Sequence, residues 1–240
     1  MARTKQQSTK LERQPRVPSD LIMLRIKEEY RHERNLAHDT LRIGLDMSVD
    51  STGLALVIGN QCCGALFVND MPPIDDSSDS INYVPYRKEY NFKNYSAKEC
   101  SKMLTIRTLS NKIINFIEMF MQQLWPIQPK YIRIVLEGAA MGYMSRNSNS
   151  LVDLMLYRGV IQDAVYHHFP LGTEMSFDVI APKALKKEFT GNGNADKLQQ
   201  IETCIAKFEE FSWVGKIDDF ADSFALATSN MLTNPSPRLW

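Results

Sequence analysis

Between residues 41 and 68 the apolar positions fall in three short runs with glycine at the joints: LRIGLDMSV (41–49), STGLALVIG (51–59) and CGALFV (63–68). Runs of this length, rich in small and β-prone residues, predict three strands joined by tight turns in a meander. From Ala97 to Trp125 the pattern changes. Met103, Leu104, Ile106, Leu109, Ile113, Ile114, Ile117 and Met121 recur at helical spacing, which predicts a long amphipathic helix closed by Pro126. YIRIVLE (131–137) reads as a buried strand ending on an acid, 147–168 as a second helix and SFDVIAP (176–182) as another strand. A short helix at 183–189 leads into GNGN (191–194), helices follow at 195–208 and about 218–232, and Pro235 and Pro237 come after. The order βββαβαβα calls for a mixed sheet with helices on its faces.

Outside this body the pattern weakens. Residues 1–18 are polar, basic and proline-punctuated, the composition of a flexible arm suited to lying on a polyanion. Ser19 or Asp20 is placed to cap a helix carrying Leu21, Leu24, Ile26 and Tyr30, ending near His38. Residues 69–96 lack periodicity and hold Pro72, Pro73 and Pro85, a long excursion of the kind that is functional or disordered. The organisation expected is an arm plus helix over 1–40, one domain over 41–232 and a tail over 233–240.

Composition narrows the classes. With 240 residues and 44% hydrophobic positions the chain has ample material for a core, which excludes disorder of the whole. The 28 Lys+Arg balance 28 Asp+Glu, so contact with nucleic acid must come from a local basic patch rather than a uniform coat. No stretch approaches the roughly 18–20 apolar residues of a membrane span. With the polar start, this predicts a soluble intracellular protein without a membrane partner. Cys62, Cys63, Cys100 and Cys204 show no CxxC spacing and read as reduced thiols, the first two in the core. The four histidines form no ligand pair, which argues against zinc.

The chemistry is suggested by acids at the ends of otherwise apolar elements. Asp46 lies inside LRIGLDMSV, where an uncompensated carboxylate is costly, and Glu137 ends YIRIVLE in the same manner. Asp219 and Asp222 stand three apart on the last helix and share a face, with Asp218 as its expected N-cap. Each has an ordinary alternative: a hydrogen-bonding strand residue, a polar strand end, a solvated helix face. Together they are more specific, because four converging carboxylates repel unless divalent metal neutralises them. Oxygen-only ligands suit Mg²⁺ or Mn²⁺. Two such ions about 4 Å apart can clamp the attacking and leaving oxygens of a phosphodiester.

GLDMSVDSTGLALV (44–57), VLEGAAM (135–141), the Arg158–Gly159 pair, APKALKKEFTGNGNADK (181–197) and DDFADSFALA (218–227) occur in an order that resembles the RuvC-type Holliday-junction resolvases. The resemblance spans residues 41–232. It implies a ribonuclease-H-like α/β fold, a mixed five-stranded sheet flanked by helices. It also implies Asp46, Glu137, Asp219 and Asp222 as catalytic acids holding two Mg²⁺ ions, with Mn²⁺ able to substitute. A homodimer cutting opposed strands of a four-way DNA junction follows, with helix 147–168 in the dimer interface unless core packing alone accounts for its apolar stripe. Lys183, Lys186, Lys187 and Lys197 surround the Gly-rich turn, where amides of Gly191, Gly193 and the next helix start are placed to hold a phosphate; the alternative is an ordinary C-cap turn with solvated lysines. Lys197 matches the lysine that follows this turn in the family. Tyr143 and Met144 are the candidates for a wedge at the junction centre, with Arg146 on nearby phosphate.

The chain departs from the family pattern in its first 40 residues, in the 69–96 excursion and in an expanded loop after Glu137. These leave open a wider nuclease acting on flaps and other branches. Two readings from other classes compete. An actin-like or sugar-kinase ATPase lobe shares the meander and a DMSVDSTG-like phosphate loop, but a second phosphate loop is missing. A non-catalytic junction binder leaves the four acids unexplained.

Overall fold

Strands whose two faces are both covered read as nearly continuous apolar runs, and the central strands of this protein do so for that reason. The computed structural model describes residues 21–48, 51–68, 97–138, 148–170, 173–213 and 215–231. The arm, the 69–96 excursion, the tail, Tyr143, Met144 and Arg146 lie outside the described residues. The strands are β1 (Leu24–Arg25), β2 (Thr40–Met47), β3 (Ser51–Ile58), β4 (Gln61–Val68), β5 (Tyr131–Glu137) and β6 (Glu174–Ile180). The helices are α1 (Glu28–Glu33), α2 (Ala97–Gln123), α3 (Ser148–His168), α4 (Pro182–Thr190), α5 (Lys197–Ile205) and α6 (Ile217–Thr228).

All six strands form one mixed sheet in the order β1-β4-β3-β2-β5-β6. The meander β2-β3-β4 is antiparallel, and β5 and β6 continue it in parallel. The β3–β4 turn is Gly59–Asn60, with Gly59 at φ +57°. A Cβ there would stand 2.2 Å from the His38 ring, so position 59 demands glycine twice over.

Each face of the sheet carries its own core. Leu41, Ile43, Leu45, Leu54, Leu56, Ile132, Ile134 and Leu136 face α2 and α3, packing with Ile113, Phe120, Ile161 and Val165. Ala55, Val57, Cys62 and Val135 face the other way, with α6 and the rings of Phe189, Phe208, Phe220 and Phe224. Cys62, Cys63 and Cys204 are buried free thiols, and burial pushes all three above the ordinary thiol range.

Two expectations need correction. Among the described residues the sheet has six strands, not five, and the helix expected between Leu21 and His38 is only the six-residue α1. Leu24 and Ile26 are buried while Arg25 between them is exposed, a period of two that the spacing of Leu21, Leu24 and Tyr30 had disguised as helical. Pairing of Leu24 with Cys62, and the bonds from Ile26 N to Asn60 O (2.8 Å) and Lys27 N to Lys207 O (2.9 Å), hold this segment extended. Leu24, Ile26, Tyr30 and Leu36 then enter the same core as α6.

Candidate active site

Position along each strand decides which end of the sheet a side chain serves. Leu45 pairs with Leu136 on the parallel neighbour, so Asp46 and Glu137 follow side by side at the C-terminal ends of β2 and β5. Alternation turns both toward α6, together with Gly44 and Val135.

Glycine brings the helix close. A Cβ on Gly44 would stand 2.0 Å from Ser223 O and 2.5 Å from Ala227 N, and one on Gly53 would stand 2.7 Å from Asp219 O. Gly53 is the register partner of Asp46. The missing side chains therefore let α6 lie almost on the strand backbone, and Asp219 is carried in beside Asp46.

The consequence is a set of coupled carboxylates. Burial, then the charges of Glu137, Asp222 and Asp219, push Asp46 up to about 7. Burial first pushes Asp222 up to about 6, against the lowering influence of Lys186 and Lys197. Glu137 is raised by burial and then by Asp222. One oxygen of Asp219 is buried without a hydrogen-bond partner.

Two lysines and one arginine border the acids. Lys197, exposed at the start of α5, holds Asp218 at 2.7 Å, which lowers the Asp218 carboxyl and raises the ammonium. Lys186 donates to Ala195 O at 3.2 Å and acts electrostatically on Glu137 and Asp222. Arg158, buried on α3, donates to the main-chain carbonyl of Glu137 from the opposite face of the sheet. The charges of Glu137 and Asp46 partly offset the cost of burying its guanidinium. Sequence reasoning used Arg158 only as part of a pair; the available signal was a lone cation within the apolar stretch LMLYRGVI.

Three expectations at the Gly-rich turn and the last helix change. Gly191 is the left-handed C-cap of α4 (φ +80°), and its N–H is committed to Lys187 O. The first turn of α5 is capped by Asp196, whose carboxylate accepts from Gln199 N at 2.8 Å, placing negative charge where a phosphate was expected. Gly193 serves close packing: a Cβ there would meet Lys183 O at 3.2 Å. Lys183 and Lys187 are exposed. Asp218 is not the N-cap of α6, which is Lys216; it lies in the first turn and is tied to Lys197 instead.

The donor set fits hard divalent cations: several carboxylates, one with an unsatisfied buried oxygen, whose mutual charge the bordering lysines do not offset, since Asp46 and Asp222 stay raised. Among the described residues no trio of His, Cys, Asp or Glu side chains forms a ready-made cage for one ion. The raised acids carry a stability signature. A carboxyl whose folded pKa exceeds its unfolded value stabilises the fold below the unfolded pKa, and that stability is lost as pH rises through the folded one. Between pH 5.5 and 7.5 Asp46 alone should cost about 2 kcal/mol. In chelator the protein is expected to melt roughly 4–8 °C higher at pH 5.5 than at 7.5. A flat or opposite profile by scanning calorimetry would contradict the coupling.

A sequence-family model described as Crossover junction endodeoxyribonuclease RuvC matches residues 94–230, more than half of the chain. No curated protein sequence matches. Among solved structures, RuvC from Thermus thermophilus is 12% identical with a TM-score of 0.48, covering 78% of this chain and 91% of its own. The same protein in complex with Holliday junction substrate is 13% identical with a TM-score of 0.48, covering 78% and 90%. The yeast mitochondrial Holliday junction resolvase Ydc2 is 12% identical with a TM-score of 0.43, covering 84% and 82%.

Proposed function

Because the chain belongs to the RuvC family of crossover junction endodeoxyribonucleases and is itself an endodeoxyribonuclease, we propose that it resolves four-way DNA junctions by metal-dependent hydrolysis at the Asp46 cluster. The observation carrying this reading is the coupling of Asp46 to Glu137, Asp222 and Asp219, acids from two strands and a helix brought to the C-terminal end of β2 and β5. These four would hold two Mg²⁺ ions, or Mn²⁺ in their place. When bound, the ions supply an activated water and neutralise charge on the leaving oxygen.

The chain's own groups divide the remaining work. Asp46, between Glu137 on β5 and Asp219 on α6, would help to hold the metal together with both. Arg158 fixes the last carbonyl of β5 and with it the root of the Glu137 side chain. Lys197, exposed and tethered to Asp218 at the rim, is placed to meet the scissile phosphate as DNA enters. Lys183, Lys186 and Lys187 extend the basic side of α4 toward the flanking backbone, and Tyr143, Met144 and Arg146 follow Glu137 in the chain as junction contacts. On α3, Met155, Leu156 and Tyr166 are exposed along the outer face with Gly159, an apolar patch suited to a second copy in a homodimer.

The test is cleavage of a synthetic four-way junction with Mg²⁺, beside a flap and a linear duplex at one salt concentration. The wild type should cut the junction at least about tenfold better than the flap, and Asp222→Asn should lose cutting while binding the junction as before. Equal cutting of all three substrates would replace the resolvase reading with a wider branched-DNA nuclease. Undiminished cutting by Asp222→Asn would remove the helix acids from the mechanism.

A further inference from the structure

The two strands that carry Asp46 and Glu137 at their C-terminal ends each hold an arginine four residues earlier, on the same face. Arg42 and Arg133 are register partners on parallel β2 and β5. Like charges side by side in a sheet are destabilising, and here one of the two is buried. A break of a local rule of this kind calls for a compensating role.

Both guanidinium groups converge on the end of α6. Arg133 donates to Ser229 O and Met231 O, each at 2.6 Å, and to Asp178 on β6 at 2.7 Å. Arg42 donates to Ser229 O at 3.3 Å and to Asn230 Oδ1 at 3.2 Å, while its other amino group reaches Arg34 O and Asn35 O. Glu188, held by Arg34 at 2.7 Å, accepts from Asn230 N and from the Ser229 hydroxyl. Burial, and then the charge of Arg133, hold Arg42 down to about 10. Residues 229–231 are thus gripped from three sides.

Helix α6 runs from this grip to the acids. The arginines hold the carbonyls of Ser229 and Met231, in the extended segment directly after its last residue Thr228; its N-terminal half carries Asp219 and Asp222 to the other end of the same two strands. We propose that Arg42 and Arg133 are positioning residues for the nuclease reaction, fixing α6 along its axis so that Asp219 and Asp222 stand at the right height beside Asp46 and Glu137. The inference rests on the metal-dependent reading above. It concerns residues whose guanidinium groups bond the segment after α6 rather than any of the four acids, so their effect passes through the helix.

The test separates positioning from folding. Arg133→Met alone would take the ion-pair partner from the Asp178 carboxylate, so the variant of choice is Arg133→Met with Asp178→Leu, which removes both charges together. Arg133→Lys, keeping the charge without the fork, is the second variant and is read in place of the first should that one not fold. For each, three quantities are measured: melting temperature in chelator, Mn²⁺ affinity by titration calorimetry, and kcat and KM on a four-way junction. The expected result is near-normal melting, Mn²⁺ binding at least about fivefold weaker, kcat at least about tenfold lower, and KM within about twofold of wild type. Wild-type Mn²⁺ affinity and kcat in both variants would overturn the positioning role alone, leaving the metal mechanism intact. A wild type that neither binds Mn²⁺ nor cuts would overturn the metal mechanism and this inference with it.

Discussion

Asp46→Asn is expected to abolish junction cleavage, by on the order of 10³-fold or more, while making the metal-free protein more stable. Both effects have one cause. At pH 7.5 the wild-type carboxylate is largely ionised in a half-buried site beside Glu137, Asp222 and Asp219, and the fold bears that repulsion. An amide of the same shape has no charge to bury, so the variant should gain about 2–4 kcal/mol in chelator and lose the pH dependence contributed by this group. The same amide is a poor ligand for Mg²⁺, so cutting fails where the ion would be held. Glu137→Gln should behave alike, since burial and the charge of Asp222 raise the Glu137 carboxyl as well. Junction affinity measured without metal should stay within about threefold of wild type. A variant that cuts normally, or that melts below wild type at pH 7.5 in chelator, would separate Asp46 from the role given to it. Such a trade of stability for activity is common where charges are gathered for catalysis.

The largest structural effect is expected at Gly44. A β-carbon there would lie 2.0 Å from Ser223 O and 2.5 Å from Ala227 N, and both obstacles are helix backbone. Neither can rotate aside, so Gly44→Val must lift α6 from the sheet, opening the packing around Phe224 and Ala225 as well. A cost of roughly 3–5 kcal/mol is expected, enough to leave many proteins of this size mostly unfolded in mild denaturant. Gly159→Ala is the matched control. Nothing stands within 4 Å of its added β-carbon, and the position is inside α3, so the alanine should stabilise by roughly 0.5–1 kcal/mol. Urea unfolding of the two variants beside wild type checks both signs. A Gly44→Val protein as stable as wild type would mean that α6 does not lie on β2 as described.

The order of elements was readable because the period changes are sharp. Glycine-jointed apolar runs gave way to the helical spacing of 97–125 and then to YIRIVLE, each long enough to be distinguished. The expected helix holds over 28–33 and fails over 21–26, because apolar residues so spaced fit a helix as well as they fit a two-residue strand followed by a short helix. Only the edge of β4, with its free backbone groups, favours the strand. The four acids were visible as charges in apolar settings. Arg42, Arg133 and Asp178 stand in equally apolar settings without disclosing a role, since an arginine in a strand gives no hint of which carbonyl it will reach 187 or 96 residues away.

Charge within hydrophobic runs is a local property, and so the chain alone was sufficient to nominate Asp46, Glu137, Asp219 and Asp222, and to place them at the ends of elements. Their common neighbourhood arises from parallel pairing of β2 with β5 and from the glycines that admit α6, contacts between residues far apart in sequence. Which lysine reaches Asp218, which amide is already capped at the Gly-rich turn, and which arginines grip Ser229 to Met231 depend likewise on distances across the sheet. Those distances are set by packing of whole elements against one another, which no window of the sequence contains.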